Sequence, residues 1–272
     1  MKTILLRRDH QDAVTDLEGK FPALSHVRKT LMETTEARTK DGIVRVVLAC
    51  NVIPTAWHKL AYELWNNVDE LPDNRPTAVG SASLRRIKND GMLSGRRGVP
   101  RRTLKVLRKH GTAQGMLGYL DASSNEACHR TPLTKDHPEM LNGNERLIKL
   151  LDELYKLYAP VPYKRQRAEI EEVPQWRLWG TVFSTIYLAR NFRTAYHYDS
   201  GNLKGVMTAL MPMGNFTGGE LVLPRWRLSV AFRPGDVLFF DSTEILHGNL
   251  PFKGHRLSAA FYCEKRIGHC GK

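Results

Sequence analysis

The feature that most restricts how this chain can fold is the cadence of its final third, where short apolar runs alternate with turn-forming residues. Gly218-Gly219-Glu220-Leu221-Val222-Leu223-Pro224 reads as a turn leading into a strand, and Trp226 to Phe232 alternates apolar with polar positions. Pro234-Gly235-Asp236 is a turn, and Val237 to Phe240 is a buried apolar strand. Asn249 to Gly254 then turns the chain into a last strand from His255 to Glu264. A succession of short strands with turns between them is the pattern of an antiparallel jelly roll or barrel.

Set into that cadence are polar residues with a chemical spacing. His197 and Asp199 sit at i and i+2, so a strand turns both side chains to one face. His247 arrives from a later element. Two imidazoles and one carboxylate on one face of an octahedron form the facial triad of non-haem Fe(II) oxygenases, which leaves open positions for a co-substrate and O2. Arg256 supplies a fixed fork for a carboxylate, such as the far end of 2-oxoglutarate. An HxD pair by itself arises in any strand by chance; the strand cadence around it and the later histidine and arginine give it weight.

At 272 residues the chain can bury one core with a helical annex. It has no apolar run of about eighteen residues, so no transmembrane helix and no membrane partner are expected. Residues 1–20 mix charges without an apolar stretch, so no secretory signal is expected either. Cys50, Cys128, Cys263 and Cys270 show neither disulfide nor zinc spacing, and Cys263, His269 and Cys270 lack a fourth ligand for zinc. Reduced thiols in an intracellular protein follow as the expectation. That means cytoplasmic if bacterial or phage-encoded, and nuclear if eukaryotic. No feature calls for an obligate protein partner.

The net charge of +13 favours a polyanionic partner. It is concentrated between Arg85 and His110, where ten Lys or Arg residues, including Arg96, Arg97, Arg101 and Arg102, face one acid, Asp90. Gly91, Gly95 and Gly98 predict a loop there, and Thr103 to Lys109 a short helix. A basic loop leading into a basic helix suits the tracking of nucleic-acid phosphates. A solvated charged face would mix signs.

Along the rest of the chain, residues 1–40 are polar and carry no clear element. Ile43 to Ala49 predicts a strand. Thr55 starts a helix to about Val68, with Trp57, Leu60, Ala61, Leu64 and Trp65 at core spacing. Gly115 to Asp121 predicts a short strand. Glu145 to Tyr158 is the clearest helix, its apolar face formed by Leu147, Leu150, Leu151, Leu154, Leu157 and Tyr158, with Pro160 and Pro162 stopping it. A second helix is expected over 163–172, and β structure from Trp176 onward. The expectation is an α+β chain of one catalytic domain, 1–272. Its double-stranded β-helix (jelly-roll, cupin-like) barrel over 176–272 carries helices from the mostly helical and loop region 1–175.

In the last strand, period-2 alternation puts Arg256, Ser258, Ala260, Tyr262 and Glu264 on one face and Leu257, Ala259, Phe261 and Cys263 on the other. The second set is core. The first is a polar row that is costly to bury without partners. Arg256 with Ser258 can hold a distal carboxylate, Tyr262 offers an aromatic face, and Glu264 offers acceptor oxygens. A ring beside a hydrogen-bonding side chain is what a flipped nucleobase requires; the bland alternative has Tyr262 packed and Glu264 at an exposed strand end.

These residues resemble the TET/JBP family of Fe(II)- and 2-oxoglutarate-dependent nucleic-acid dioxygenases, most of all its compact phage and fungal members. The motifs are Arg190-Asn-Phe-Arg193-Thr-Ala-Tyr-His197-Tyr-Asp199, Gly218-Gly219-Glu220-Leu221-Val222, Gly235-Asp236-Val237-Leu238-Phe239-Phe240, His247, and Arg256-Leu-Ser258 through Tyr262, over roughly 176–264. The resemblance implies His197, Asp199 and His247 as iron ligands, Arg256 and Ser258 at one end of 2-oxoglutarate, and Arg193 at its other end. It implies Tyr262 stacking on the flipped base and Asn202 contacting it. Where the family often has a histidine on the pyrimidine edge, this chain has Glu264, which can accept from cytosine N4 but not from thymine O4. The implied activity is oxidation of 5-methylcytosine in DNA, a duplex with a flipped base, to 5-hydroxymethylcytosine and onward to formyl and carboxyl forms. Fe(II), 2-oxoglutarate and O2 would take part, with ascorbate in support. The alternatives are a thymine hydroxylase making 5-hydroxymethyluracil, a protein or small-molecule hydroxylase of the same superfamily, and a catalytically silent basic nucleic-acid-binding barrel.

Overall fold

A computed structural model describes residues 1–6, 14–66, 113–120 and 128–270. The basic segment 85–110, with Arg96, Arg97, Arg101 and Arg102, lies outside the described residues. The strands are β1 Lys2–Leu5, β2 Lys29–Leu31, β3 Thr35–Arg38, β4 Val44–Ala49, β5 Ala113–Leu120, β6 His129–Arg130, β7 Thr185–Arg190, β8 Thr208–Gly218, β9 Leu221–Leu223, β10 Leu228–Val230, β11 Val237–Phe240, β12 Gly248–Asn249 and β13 Phe252–Tyr262. The helices are α1 Thr55–Trp65, α2 Pro132–Asp136, α3 Pro138–Asn142, α4 Glu145–Tyr158 and α5 Pro160–Glu169.

Nine strands form one sheet, in the order β1-β3-β4-β11-β8-β13-β7-β5-β6, and four form a second, β12-β9-β10-β2. The pairings are antiparallel except β1 with β3 and β10 with β2, which are parallel. Val46, Leu48, Leu238 and Phe240 of the large sheet pack against Leu221, Leu223, Leu228 and Val230 of the small one, so the two sheets face each other across an apolar cluster. Apolar packing joins them. Among the described residues the expected jelly roll takes the form of two facing sheets.

Alternation along the central strands sorts their side chains to two sides. Ile186, Leu188, Ala209, Met211, Met213, Val237, Phe239, Leu257, Ala259 and Phe261 face away from the small sheet and are buried with α1, α3 and α4 residues such as Trp65, Met140, Leu147, Leu151 and Tyr155. The helices from the N-terminal half therefore cover the large sheet's outer face. At roughly 25 cal/mol per Å² of apolar surface, this cluster and the interior one are the main stabilising terms. Tyr155 also reaches into the sheet, its ring 5.4 Å from Phe239 and its hydroxyl accepting from Met207 N at 2.7 Å.

The structure corrects several expectations. Residues 1–40 hold three strands, β1 to β3, of three or four residues each, too short for a period-2 pattern to show. Pro160 does not merely stop α4 but begins α5, because a proline at the first turn sacrifices no helical hydrogen bond. Leu60 and Leu157 face solvent, 45% and 70% exposed, while Ile148 and Tyr155 take the buried face of α4 together with Asp152. That carboxylate is satisfied by Val182 N and the Tyr163 hydroxyl. Cys128 and Cys270 are joined in a disulfide across 142 residues of sequence, contrary to the expectation of reduced thiols; Cys50 and Cys263 are free. Spacing could not reveal a pair that only the fold brings together.

Candidate active site

Between the two sheets lies a cavity lined by Tyr187 and Ala189 of β7, Thr208 and Leu210 of β8, Phe240 of β11, Arg256, Ser258 and Ala260 of β13, together with His197, Asp199, His247 and Asn249. The period-2 reading of the last strand holds: Arg256, Ser258 and Ala260 face the cavity, and Leu257, Ala259 and Phe261 face the helices.

The histidines meet through the backbone. His197 and His247 form an isolated antiparallel bridge, each N–H donating to the other's carbonyl at 3.0 and 3.2 Å, and their rings lie 4.4 Å apart. His197 Nδ1 contacts the Ala195 carbonyl and His247 Nδ1 the Ile245 carbonyl, each at 2.9 Å. A carbonyl can only accept, so each Nδ1 carries a proton and each Nε2 is the ring atom turned toward Asp199 and available to a metal. Asp199 completes the cluster, with Oδ1 3.4 Å from His197 Nε2 and Oδ2 3.8 Å from His247 Nε2. The three ligand atoms lie within 4.8 Å of one another, the one such group among the described residues. Two imidazoles and a carboxylate converging from one side fit a divalent iron with open positions.

Arg256 lines the same cavity. It is 3% exposed, and its buried Nε has no hydrogen-bond partner. The rings of Phe216, Phe252 and Phe232 stand 5.5, 5.7 and 5.8 Å from its guanidinium carbon. Burial pushes this group down to about 10, with Glu220 pulling it back only in part, so it stays charged at neutral pH. A buried cation with an orphaned donor is costly, and a ligand carboxylate would supply the missing acceptor. Gly219 borders this group with a φ of +77°, and a Cβ there would press on Phe252 Cβ at 3.1 Å while only touching Arg256 Cδ and Nε at 3.6 Å.

The other expected residues divide. Ser258 lines the cavity. Tyr262 and Glu264 continue the same face beyond Ala260, both buried, with the tyrosine hydroxyl donating to Glu264 Oε1 at 3.2 Å. Glu264 is therefore not at an exposed strand end. Asn202 is bridged opposite Glu264, and its Nδ2 donates to Thr208 Oγ1 at 3.0 Å and Ser242 Oγ at 3.1 Å. Arg193 is not brought to the cavity: its Nε and Nη2 donate to the Asn249 and Pro22 carbonyls, which satisfy it, and it lies 4.7 Å over the Phe21 ring. The sequence reading missed Thr208, Ser242 and Asn249. A polar residue at an inward position of an apolar strand marks Thr208; the other two lie in short segments without periodicity.

A family model described as the oxygenase domain of the 2OGFeDO superfamily, Tet_JBP, matches residues 115–265. Over 140 residues the chain is 41% identical to the bifunctional helicase and thymine dioxygenase JBP2 of Trypanosoma brucei brucei (strain 927/4 GUTat10.1), covering 50% of this chain and 13% of that protein. Over 167 residues it is 30% identical to the thymine dioxygenase JBP1 of Trypanosoma brucei brucei, covering 57% and 19%. The chain thus spans less than a fifth of the length of these relatives. Its fold is similar to that of NgTET1 in complex with 5mC DNA, at 16% identity and a TM-score of 0.61, covering 100% of this chain and 84% of that one.

Proposed function

The chain belongs to the Tet_JBP family, oxygenase domains of the 2OGFeDO superfamily, and from that membership we propose that it is an Fe(II)- and 2-oxoglutarate-dependent dioxygenase that oxidises the 5-methyl group of 5-methylcytosine in DNA. The observation that carries this reading is the orphaned, buried Arg256 Nε in the cavity that also holds His197, Asp199 and His247. When bound, Fe(II) would couple the oxidative decarboxylation of 2-oxoglutarate by O2 to hydroxylation of a C–H bond, and the hard chemistry is the cofactor's.

The chain's own residues have narrower tasks. His197, Asp199 and His247 would hold the metal, the two histidines with their Nδ1–H donors pinned on the Ala195 and Ile245 carbonyls. Arg256 and Ser258 bind the distal carboxylate, and the phenylalanines around Arg256 exclude water, which strengthens that ion pair. Tyr262 offers its ring to the flipped base and Glu264 an acceptor to its edge. The basic segment 85–110, with Arg96, Arg97, Arg101 and Arg102, follows the phosphates of the duplex. Residues 1–272 act as one catalytic domain in the cytoplasm, or in the nucleus of a eukaryote.

Thymine is the second reading, favoured by the relatives whose names call them thymine dioxygenases. Its N3–H could donate to Glu264, but its O4 would meet an acceptor. The test is mass spectrometry of nucleosides after incubation with Fe(II), 2-oxoglutarate, ascorbate and 5-methylcytosine-containing duplex DNA, beside a His197→Ala, Asp199→Ala variant. Formation of 5-hydroxymethylcytosine or its formyl and carboxyl successors by the unaltered protein alone is the expected result. Oxidation of thymine only would move the assignment to 5-hydroxymethyluracil. Succinate production without any oxidised base would place the substrate outside DNA.

A further inference from the structure

Asn202 and Glu264 face each other across a narrow antiparallel pair. Leu203 N donates to the Cys263 carbonyl at 2.8 Å and Lys265 N to the Gly201 carbonyl at 3.0 Å, which leaves residues 202 and 264 as the directly opposed pair between these bonds. Both side chains are buried, and Thr208, which bonds to Asn202, lines the cavity.

The carboxamide of Asn202, Thr208 Oγ1 and Ser242 Oγ form a closed triangle with sides of 3.0, 3.1 and 2.7 Å. Three such contacts need a hydrogen on each side. If the amide nitrogen is the corner, it supplies two hydrogens and one hydroxyl supplies the third, so every side is bonded. If the oxygen were the corner, the two hydroxyls could supply only two hydrogens, and one pair of oxygens would meet lone pair to lone pair. The count therefore decides the orientation of the amide. Asn202 Oδ1 faces away from the hydroxyl pair, and none of the described groups donates to it.

We infer that Ser242 and Thr208 are positioning residues that lock Asn202 with its carbonyl oxygen outward, so that the base edge meets acceptors on both opposed residues, Asn202 and Glu264. The inference rests on the DNA-oxygenase reading and deepens it. An edge that meets acceptors must bring donors. An exocyclic amine brings two hydrogens, whereas the thymine edge has one donor flanked by two acceptors. The lock selects an amine-bearing 5-methylpyrimidine. Without it, the carboxamide turns freely and presents its amine as readily, which thymine O4 accepts.

Ser242→Ala and Thr208→Val remove one corner each, and Thr208→Ser keeps the hydroxyl. In Ser242→Ala the main-chain carbonyl that accepts from Asp199 N at 3.0 Å is untouched, so metal affinity is expected to stay as in the parent. Two readouts decide. Hydrogen exchange of the Asn202 side-chain amide by NMR reads the lock directly, with protection expected in the parent and in Thr208→Ser and lost in the other two variants. Competition between 5-methylcytosine and thymine in one duplex reads the selection, with preference for 5-methylcytosine expected to fall about tenfold in Ser242→Ala and Thr208→Val and to survive in Thr208→Ser. Loss of protection with unchanged preference would overturn the selecting role, and a freely exchanging amide in the parent would overturn the lock. If the parent protein oxidises no base while the amide is protected, the DNA reading itself has failed, and the selecting role falls with it.

Discussion

At the scale of single residues, the site is governed by groups whose partners are missing or forced. Arg256 is the clearest case. A charge buried beside three phenylalanine rings with one donor unpaired costs the folded chain stability until a carboxylate arrives. Arg256→Met would keep the packing and remove that charge. The expected outcome is a KM for 2-oxoglutarate raised by roughly a hundredfold, with a Tm no lower than the parent's in the absence of co-substrate. A marked fall in Tm would show that the arginine is a structural cation instead. The histidines make the complementary case, since their Nδ1 protons are committed to the Ala195 and Ile245 carbonyls and leave Nε2 ready for metal. Adding Mn(II) with 2-oxoglutarate, in differential scanning fluorimetry without O2, should therefore raise the Tm through preferential binding to the folded state. Asp199→Ala should abolish that rise.

At the scale of elements, α4 shows how an amphipathic pattern can be recognised correctly yet turned slightly wrong. Glu145–Tyr158 is helical as its periodicity predicts, but the buried stripe runs through Leu147, Ile148, Leu151, Leu154 and Tyr155, leaving Leu157 exposed. The apolar residues cover more than one face, and which of them is buried depends on where the large sheet lies. Tyr155 and Asp152 join the stripe because loop main chain just ahead of β8 and β7 comes to meet them, at Met207 N and Val182 N. Leu151→Ala should cost ~2–5 kcal/mol in urea unfolding, whereas Leu157→Lys should stay within about 0.5 kcal/mol. Equal losses at the two positions would contradict this placement of the helix. In β13, by contrast, a period of two allows only two assignments, and the hydrophobic set chooses between them without help from the rest of the fold.

At the scale of the whole molecule, the disulfide between Cys128 and Cys270 ties the entrance of β6 to the segment that follows β13, the strand carrying Tyr262. Closing a loop this long restrains the unfolded chain strongly. Cys128→Ser, or reduction of the parent, is expected to lower stability by ~2–5 kcal/mol in chemical unfolding. Thiol titration in denaturant should find only Cys50 and Cys263 before reduction. The fold class, the strand cadence from Leu221 to Tyr262, the inward row of β13, and the candidate grouping of His197, Asp199 and His247 with Arg256 were all legible in the sequence alone. Those features rest on local periodicity and on residue chemistry that few folds would otherwise place together. Only the tertiary structure decided that Cys128 meets Cys270, that Arg193 spends its donors on main-chain carbonyls, that Asn202 is held by Thr208 and Ser242, and that β1 to β3 extend the two sheets. Each of these depends on contacts between segments far apart in the chain, and the energy of such a contact belongs to the pair brought together, so neither segment carries a record of it.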